Sequence, residues 1–235
     1  MTIKRFLVVS AVVVLVVVAY LFFDVSQRLE KARSEDPLVW ASEIETFAER
    51  GAGEPGSLLF VGSSSIRFWD ELAEDMAPAP VVNRGFGGSK IGDVVYYADT
   101  LFEANDPRAI VIFVGTNDMT PQQTKSVDTM TASFAAMMVA LRKQHPDTAV
   151  YYIAITPSPL RWAIWDEAVA VNEAIQTLIL QMPNTNFIDT GNALMTDGEP
   201  NPDNYVFDGL HLSAEGYDIW AEIIRSRLFS DLNLP

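Results

Sequence analysis

Two hydrophobic periods alternate along most of this chain. Continuously apolar runs recur at 57–61, 80–83, 109–114, 149–155 and 186–189. The third, Ala109 to Val114, is almost wholly apolar and β-branched and is the clearest of them. Runs that are apolar on both faces suit a parallel sheet covered on both sides. Between them, at about 66–76, 89–104, 123–144, 161–182 and 213–230, the pattern is helical. Within 123–144, Phe134, Met137, Met138 and Leu141 make one buried stripe, so these methionines read as core rather than ligands. Strand–helix alternation over 57–230 predicts a doubly wound, three-layer α/β/α sandwich around a five-stranded, mainly parallel sheet.

The N-terminal pattern is different. Phe6 to Phe23 carries no charge over 18 residues, about 27 Å as a helix and close to the thickness of a bilayer core. Lys4 and Arg5 precede it, which keeps that end cytoplasmic and puts the rest of the chain outside. A cleaved signal peptide would have a shorter apolar region ending in small residues, whereas this run ends Tyr20-Leu21-Phe22-Phe23-Asp24. The expectation is a single-pass anchor in the cytoplasmic membrane, a transmembrane helix over 1–23, with the remainder on the periplasmic side. Residues 24–56 follow as a juxtamembrane stalk and a lead-in helix. In that helix, from Pro37 to Arg50, Leu38, Trp40, Ile44 and Phe47 form the apolar side. Residues 57–235 form the main domain.

Composition narrows the chemistry. Asp and Glu number 31 against 16 Lys and Arg, a net charge of -15, which leaves no electrostatic footprint for nucleic acid. Absence of cysteine excludes disulfides, thiol catalysis and Cys-type zinc sites. With two histidines, His145 and His211, a multi-histidine metal centre is not expected, nor is any cofactor. The acidic positions Asp197, Glu199 and Asp203 lack the ordered spacing of a calcium loop and read as a solvated loop.

In a doubly wound sheet, chemistry gathers in the loops beyond the carboxyl ends of the strands. Those loops hold Gly62-Ser63-Ser64-Ser65, Arg84-Gly85-Phe86-Gly87-Gly88-Ser89, Gly115-Thr116-Asn117-Asp118, Thr156-Pro157-Ser158-Pro159 and Asp208-Gly209-Leu210-His211-Leu212-Ser213. A serine, an imidazole, a carboxylate and amide donors are what acyl transfer by a serine needs. A turn at Asp208–His211 can set the imidazole over the rim with the carboxylate behind it. The plainer alternative is a helix start capped by Ser213. His145, before Pro146 at a basic helix end, reads as a surface imidazole or positive cap.

Taken in order, these loops resemble the blocks of the SGNH hydrolases, the GDSL esterase/lipase family. The resemblance covers about 57–230 and implies a flavodoxin-like sandwich and a serine ester hydrolase working without cofactor. By it, Ser64 is the nucleophile, His211 the base and Asp208 the acid of a triad that forms an acyl-enzyme. The Ser64 and Gly88 amides and the Asn117 side chain would hold the oxyanion. Ser63 stands where the family usually has Asp, leaving three serines in a row and Ser65 as the runner-up nucleophile. Arg161, Trp162 and Trp165, beyond the fourth apolar run, are candidate substrate-binding residues; as aromatics the tryptophans serve a core equally well. Three functions are compatible: cleavage of a small-molecule, lipid or carbohydrate ester; deacetylation or O-acyl transfer on an envelope polysaccharide; and a catalytically dead binding domain. Completeness of the constellation argues against the last.

Overall fold

The apolar runs become one parallel sheet in the computed structural model, which describes residues 3–235 and, within its first helix, the side chains of residues 10, 12–20, 23, 27 and 30–33. In chain order the strands are β1 (Leu58–Gly62), β2 (Val81–Gly85), β3 (Ala109–Phe113), a short hairpin of β4 (Met119–Thr120) and β5 (Gln123–Thr124), β6 (Ala149–Ile153), β7 (Thr185–Ile188), and a second hairpin of β8 (Met195–Thr196) and β9 (Glu199–Pro200). The helices are α1 (Ile3–Arg33), α2 (Ala41–Arg50), α3 (Ser64–Arg67), α4 (Leu72–Asp75), α5 (Ile91–Tyr96), α6 (Ala98–Leu101), α7 (Val127–Gln144), α8 (Trp165–Ile179) and α9 (Ala214–Leu232). The main sheet runs β2-β1-β3-β6-β7. All its pairings are parallel, and Gly62 lies opposite both Gly85 and Phe113. The chain order reverses between β1 and β3, which is where a doubly wound sheet opens a crevice at the strands' carboxyl ends.

Alternation along each strand builds the two flanking layers. Leu59, Val61, Ile110 and Ile112 pack with α2, α5, α6, α7 and α8. Leu58, Phe60, Val111 and Phe113 pack with α3, α4 and α9. Phe134, Met137, Met138 and Leu141 are all buried in the first layer, as their spacing predicts. The expected helix at 123–144 starts at Val127, because Gln123 and Thr124 pair with Thr120 and Met119 and Ser126 caps the helix by accepting from the Thr129 amide. The segment expected as one helix at 66–76 is two short ones, α3 and α4.

The lead-in helix is part of the core. Trp40, Ile44 and Phe47 are buried in the first layer. The Arg84 guanidinium, itself buried, donates to the carbonyls of Phe47 and Gly51, filling acceptors that the end of α2 leaves open. The membrane span expected at Phe6–Phe23 falls in α1, where many side chains lie outside the described residues. Among the described residues, no helix is long and apolar enough to cross a membrane.

Candidate active site

The last rim loop is built by its own backbone. Tyr205 and Leu212 form an antiparallel bridge, and the Val206 amide donates to the His211 carbonyl at 2.9 Å. The Gly209 amide donates to the Val206 carbonyl, and Gly209 sits at φ 65°, a left-handed turn position that suits glycine. Inside this turn Asp208 accepts three bonds. Its Oδ1 takes the amides of Leu210 and His211 at 2.9 and 3.0 Å, and its Oδ2 meets His211 Nδ1 at 2.6 Å. Burial works to raise the Asp208 carboxyl, but the ring and amide donors outweigh it and hold it below its ordinary value. Ser213 does cap α9, accepting from the Gly216 amide at 3.2 Å. The two readings of this loop are therefore both realised.

The other face of the imidazole reaches β1. His211 Nε2 lies 2.8 Å from Ser64 Oγ, across 147 residues of sequence. Ser64 opens α3, so its amide has no acceptor within the helix. The edge of one aromatic ring meets the other where Phe68 packs on His211, with centroids 5.1 Å apart. Of the three serines, the Ser64 hydroxyl is the one bonded to the imidazole. Ser63 is buried with its amide on the Phe113 carbonyl, and the Ser65 carbonyl accepts from Tyr217.

Beside Ser64 lies a small recess with room for about one water. Ser63, Ser64, Ser65, Phe113, Thr116, Asn117, Thr156, Ser158 and Leu210 line it. Asn117 therefore faces the space next to Ser64. One of its two N–H groups donates to the Ser89 carbonyl at 3.1 Å, which fixes the amide plane and leaves the second for a ligand. Gly88 has φ 72° and sits on the same rim, outside the recess lining, against Ala32. Thr116 Oγ1 and Ser158 Oγ are buried without a hydrogen-bond partner. These two residues were not singled out from sequence. Their signal was the polar character of two loops at strand ends, which says nothing of which hydroxyl turns inward.

Arg161, Trp162 and Trp165 do not line the recess. They lie in the turn that runs from Pro159 into α8, where the Leu160 amide donates to the Gly209 carbonyl at 2.9 Å. The two indoles stack at 6.2 Å, and Arg161 Nε is buried without a partner. His145, expected as a surface imidazole or positive cap, does stand at the C-terminal cap of α7 but is not on the surface. It is buried, ends α7, and has Nε2 2.6 Å from the Phe102 carbonyl. Among the described residues, no group of three or more His, Asp or Glu is arranged to hold a metal ion.

The sequence profile of the GDSL-like Lipase/Acylhydrolase family matches residues 48–219. The chain belongs to this family. It is a hydrolase acting on ester bonds. Among curated relatives of this family member, platelet-activating factor acetylhydrolase IB subunit alpha1 of Rattus norvegicus is 23% identical over 190 residues, 76% of this chain and 77% of the relative. Among solved structures, a GDSL-like lipase from Bacteroides thetaiotaomicron superposes with a TM-score of 0.62 at 20% identity, over 83% of this chain and 98% of its own. A carbohydrate esterase family 3 protein from Talaromyces cellulolyticus gives 0.59 at 19% identity, over 75% and 98%. These superpositions agree with the three-layer sandwich described above.

Proposed function

We propose that this GDSL-family hydrolase cleaves short-acyl carboxylic esters through Ser64, His211 and Asp208. The observation that carries the reading is one imidazole bonded on both sides, to Ser64 Oγ at 2.8 Å and to Asp208 Oδ2 at 2.6 Å. With Asp208 accepting from Nδ1–H, Nε2 is free to take the Ser64 proton as the oxygen attacks the ester carbonyl. Asp208 then offsets the imidazolium charge. The tetrahedral oxyanion is met by the Ser64 amide and the second N–H of Asn117, with the Gly88 amide as the third donor the family resemblance implies. His211 returns its proton to the leaving alcohol, and water, activated by His211 in turn, releases the acid and regenerates Ser64.

A recess with room for about one water takes no more than the methyl end of an acyl group, which favours a short acyl chain, as does the acetylhydrolase named among the relatives. Leu160, bonded to the Gly209 carbonyl, leads into Arg161 and Trp162, which would meet the alcohol portion, while Trp165 also packs against the core. A p-nitrophenyl ester series from acetyl to dodecanoyl tests this. The highest kcat/KM is expected at acetyl, and Ser64→Ala is expected to lower it by about 10⁴-fold or more. An optimum at long acyl chains would remove the short-acyl reading. Turnover unchanged in Ser64→Ala would remove the nucleophile. Turnover only with a sugar acceptor present would make the protein an O-acyltransferase instead.

Residues 1–23 are proposed to anchor this hydrolase in the cytoplasmic membrane, with the catalytic domain on the periplasmic side. Support comes from the charge-free run after Lys4 and Arg5 and from its place in a continuous helix, Ile3–Arg33. The side chains of Val12–Val18 and Tyr20 are all exposed, apolar surface that water disfavours. Recovery of full-length protein from the soluble cytoplasm would overturn it.

A further inference from the structure

The side chain of Lys90 is only 6% exposed, yet all its acceptors come from a segment some 55 residues away. Its ammonium donates to the carbonyls of Arg33 and Ser34 at 3.2 and 2.7 Å and to Glu35 Oε1 at 2.6 Å, which matches its three donors. Arg33 ends α1, where carbonyls lack helical partners and a cation is favoured. The second oxygen of Glu35 takes Lys125 at 3.2 Å. Lys125 in turn meets Asp118 Oδ1 at 2.8 Å, and Asp118 Oδ2 accepts from the Ile91 amide at 3.0 Å. Ala32 presses on Gly88, where an added Cβ would lie 2.7 Å from the alanine methyl.

These bonds lead to the two loops that carry Ser89 and Asn117. Lys90 follows Ser89, whose carbonyl orients the Asn117 amide, and Asp118 follows Asn117. We propose that the segment Ala32–Glu35, acting through Lys90 and Lys125, is a positioning element for the oxyanion side of the active site. This segment precedes the stretch matched by the family profile, which begins at residue 48. The inference rests on the hydrolase reading above. Glu35 is 54% exposed, and an exposed carboxylate contributes little to stability. Its loss therefore changes where Lys90 and Ser89 sit more than whether the domain folds. Because the Asn117 bond strengthens as the oxyanion forms, the effect falls on kcat.

The experiment is a double-mutant cycle in the full-length chain on a short-chain ester, with melting temperatures. Glu35→Ala is expected to lower kcat about tenfold, less than the ~10²–10³ for losing Asn117 itself, with KM nearly unchanged. Its melting temperature should stay within about 2 °C of wild type. Glu35→Gln, which keeps an oxygen for Lys90, should recover most of the rate. In an Asn117→Ala background, Glu35→Ala should cost nothing further, because the two act through one amide. Wild-type kcat in Glu35→Ala, or effects that multiply in the double variant, would overturn the proposal. Wild-type turnover no higher than Ser64→Ala would overturn the hydrolase reading and this inference with it.

Discussion

The two halves of the proposed active site are held in different ways. The Asp208–His211 half is closed mostly within eight consecutive residues, by the Tyr205–Leu212 bridge, the Gly209 turn and three bonds to one carboxylate, with the Leu160 amide on the Gly209 carbonyl as an outside tie. The Asn117 half is held from outside. Its amide answers to Ser89, Asp118 answers to Ile91 and Lys125, and both lysines answer to Glu35 near the other end of the chain. The proposed proton relay needs one fixed geometry, which a short turn largely supplies. In the proposed reading Asn117 is a donor aimed at a developing charge, which needs two loops from different strands held in register, and a third segment spans them.

Variants can break this contrast in order of effect. Removing the local half is the most severe. His211→Ala should lower kcat/KM on an acetyl ester by about 10⁴-fold or more, and Asp208→Asn by about 10⁴-fold through the wrong tautomer. Both should keep the fold, as read by far-ultraviolet circular dichroism. A milder loss in Asp208→Asn, within tenfold of wild type, would mean that the turn, not the carboxylate, orients the ring.

The assembled half should separate into catalysis and stability. Asn117→Ala is expected to lower kcat by about 10²–10³ with KM little changed. Asp118→Asn should do the reverse, leaving kcat within about tenfold and destabilising by roughly 1–3 kcal/mol in urea unfolding, because it unpairs a buried group. Burial pushes the Asp118 carboxyl up in spite of Lys125. For Lys125, burial acts to lower the ammonium, but Asp118 and Glu35 outweigh it and raise it. The pair thus costs something on the carboxylate side, and the structure keeps it where it ties two loops. A wild-type kcat in Asn117→Ala would take Asn117 out of the oxyanion hole.

The smallest effect sharpens the contrast by pH. Asp208 is held below its ordinary 3.8, so its contribution to stability is complete above that value and lost as pH falls through the lower folded one. The stability difference between wild type and Asp208→Asn, measured by urea midpoints, should therefore shrink between neutral pH and about pH 3. A difference that stays constant would mean that the bonds to Asp208 do not depend on its charge.

Much of this was legible in the residues. Each of the five apolar runs became a strand of the main sheet within two residues at either end, and the Asp208-x-x-His211 turn was found as a unit. The stripe Phe134-Met137-Met138-Leu141 was found as core. What was missed has a common character. His145 reads as a surface cap from its neighbours Arg142 and Lys143, but the Phe102 carbonyl, 43 residues away, draws it into the interior. Thr116 and Ser158 look like any loop hydroxyls until β3 and β6 stand side by side. Glu35 looks like one more charge on a polar stalk until it meets Lys90 and Lys125.

Sequence alone determined the strands, the helical faces and the self-contained histidine turn. A run of apolar residues is buried by whatever covers it, so its period is enough to reveal it, and a turn is written in neighbours. Tertiary structure alone decided which loop hydroxyls lie buried at the recess, that His145 is drawn into the interior, and that the end of α1 reaches the loops of Ser89 and Asn117. The last two are directional contacts made at about 3 Å between residues far apart in the chain. Whether such a contact exists depends on the relative placement of whole elements, and no local pattern records that.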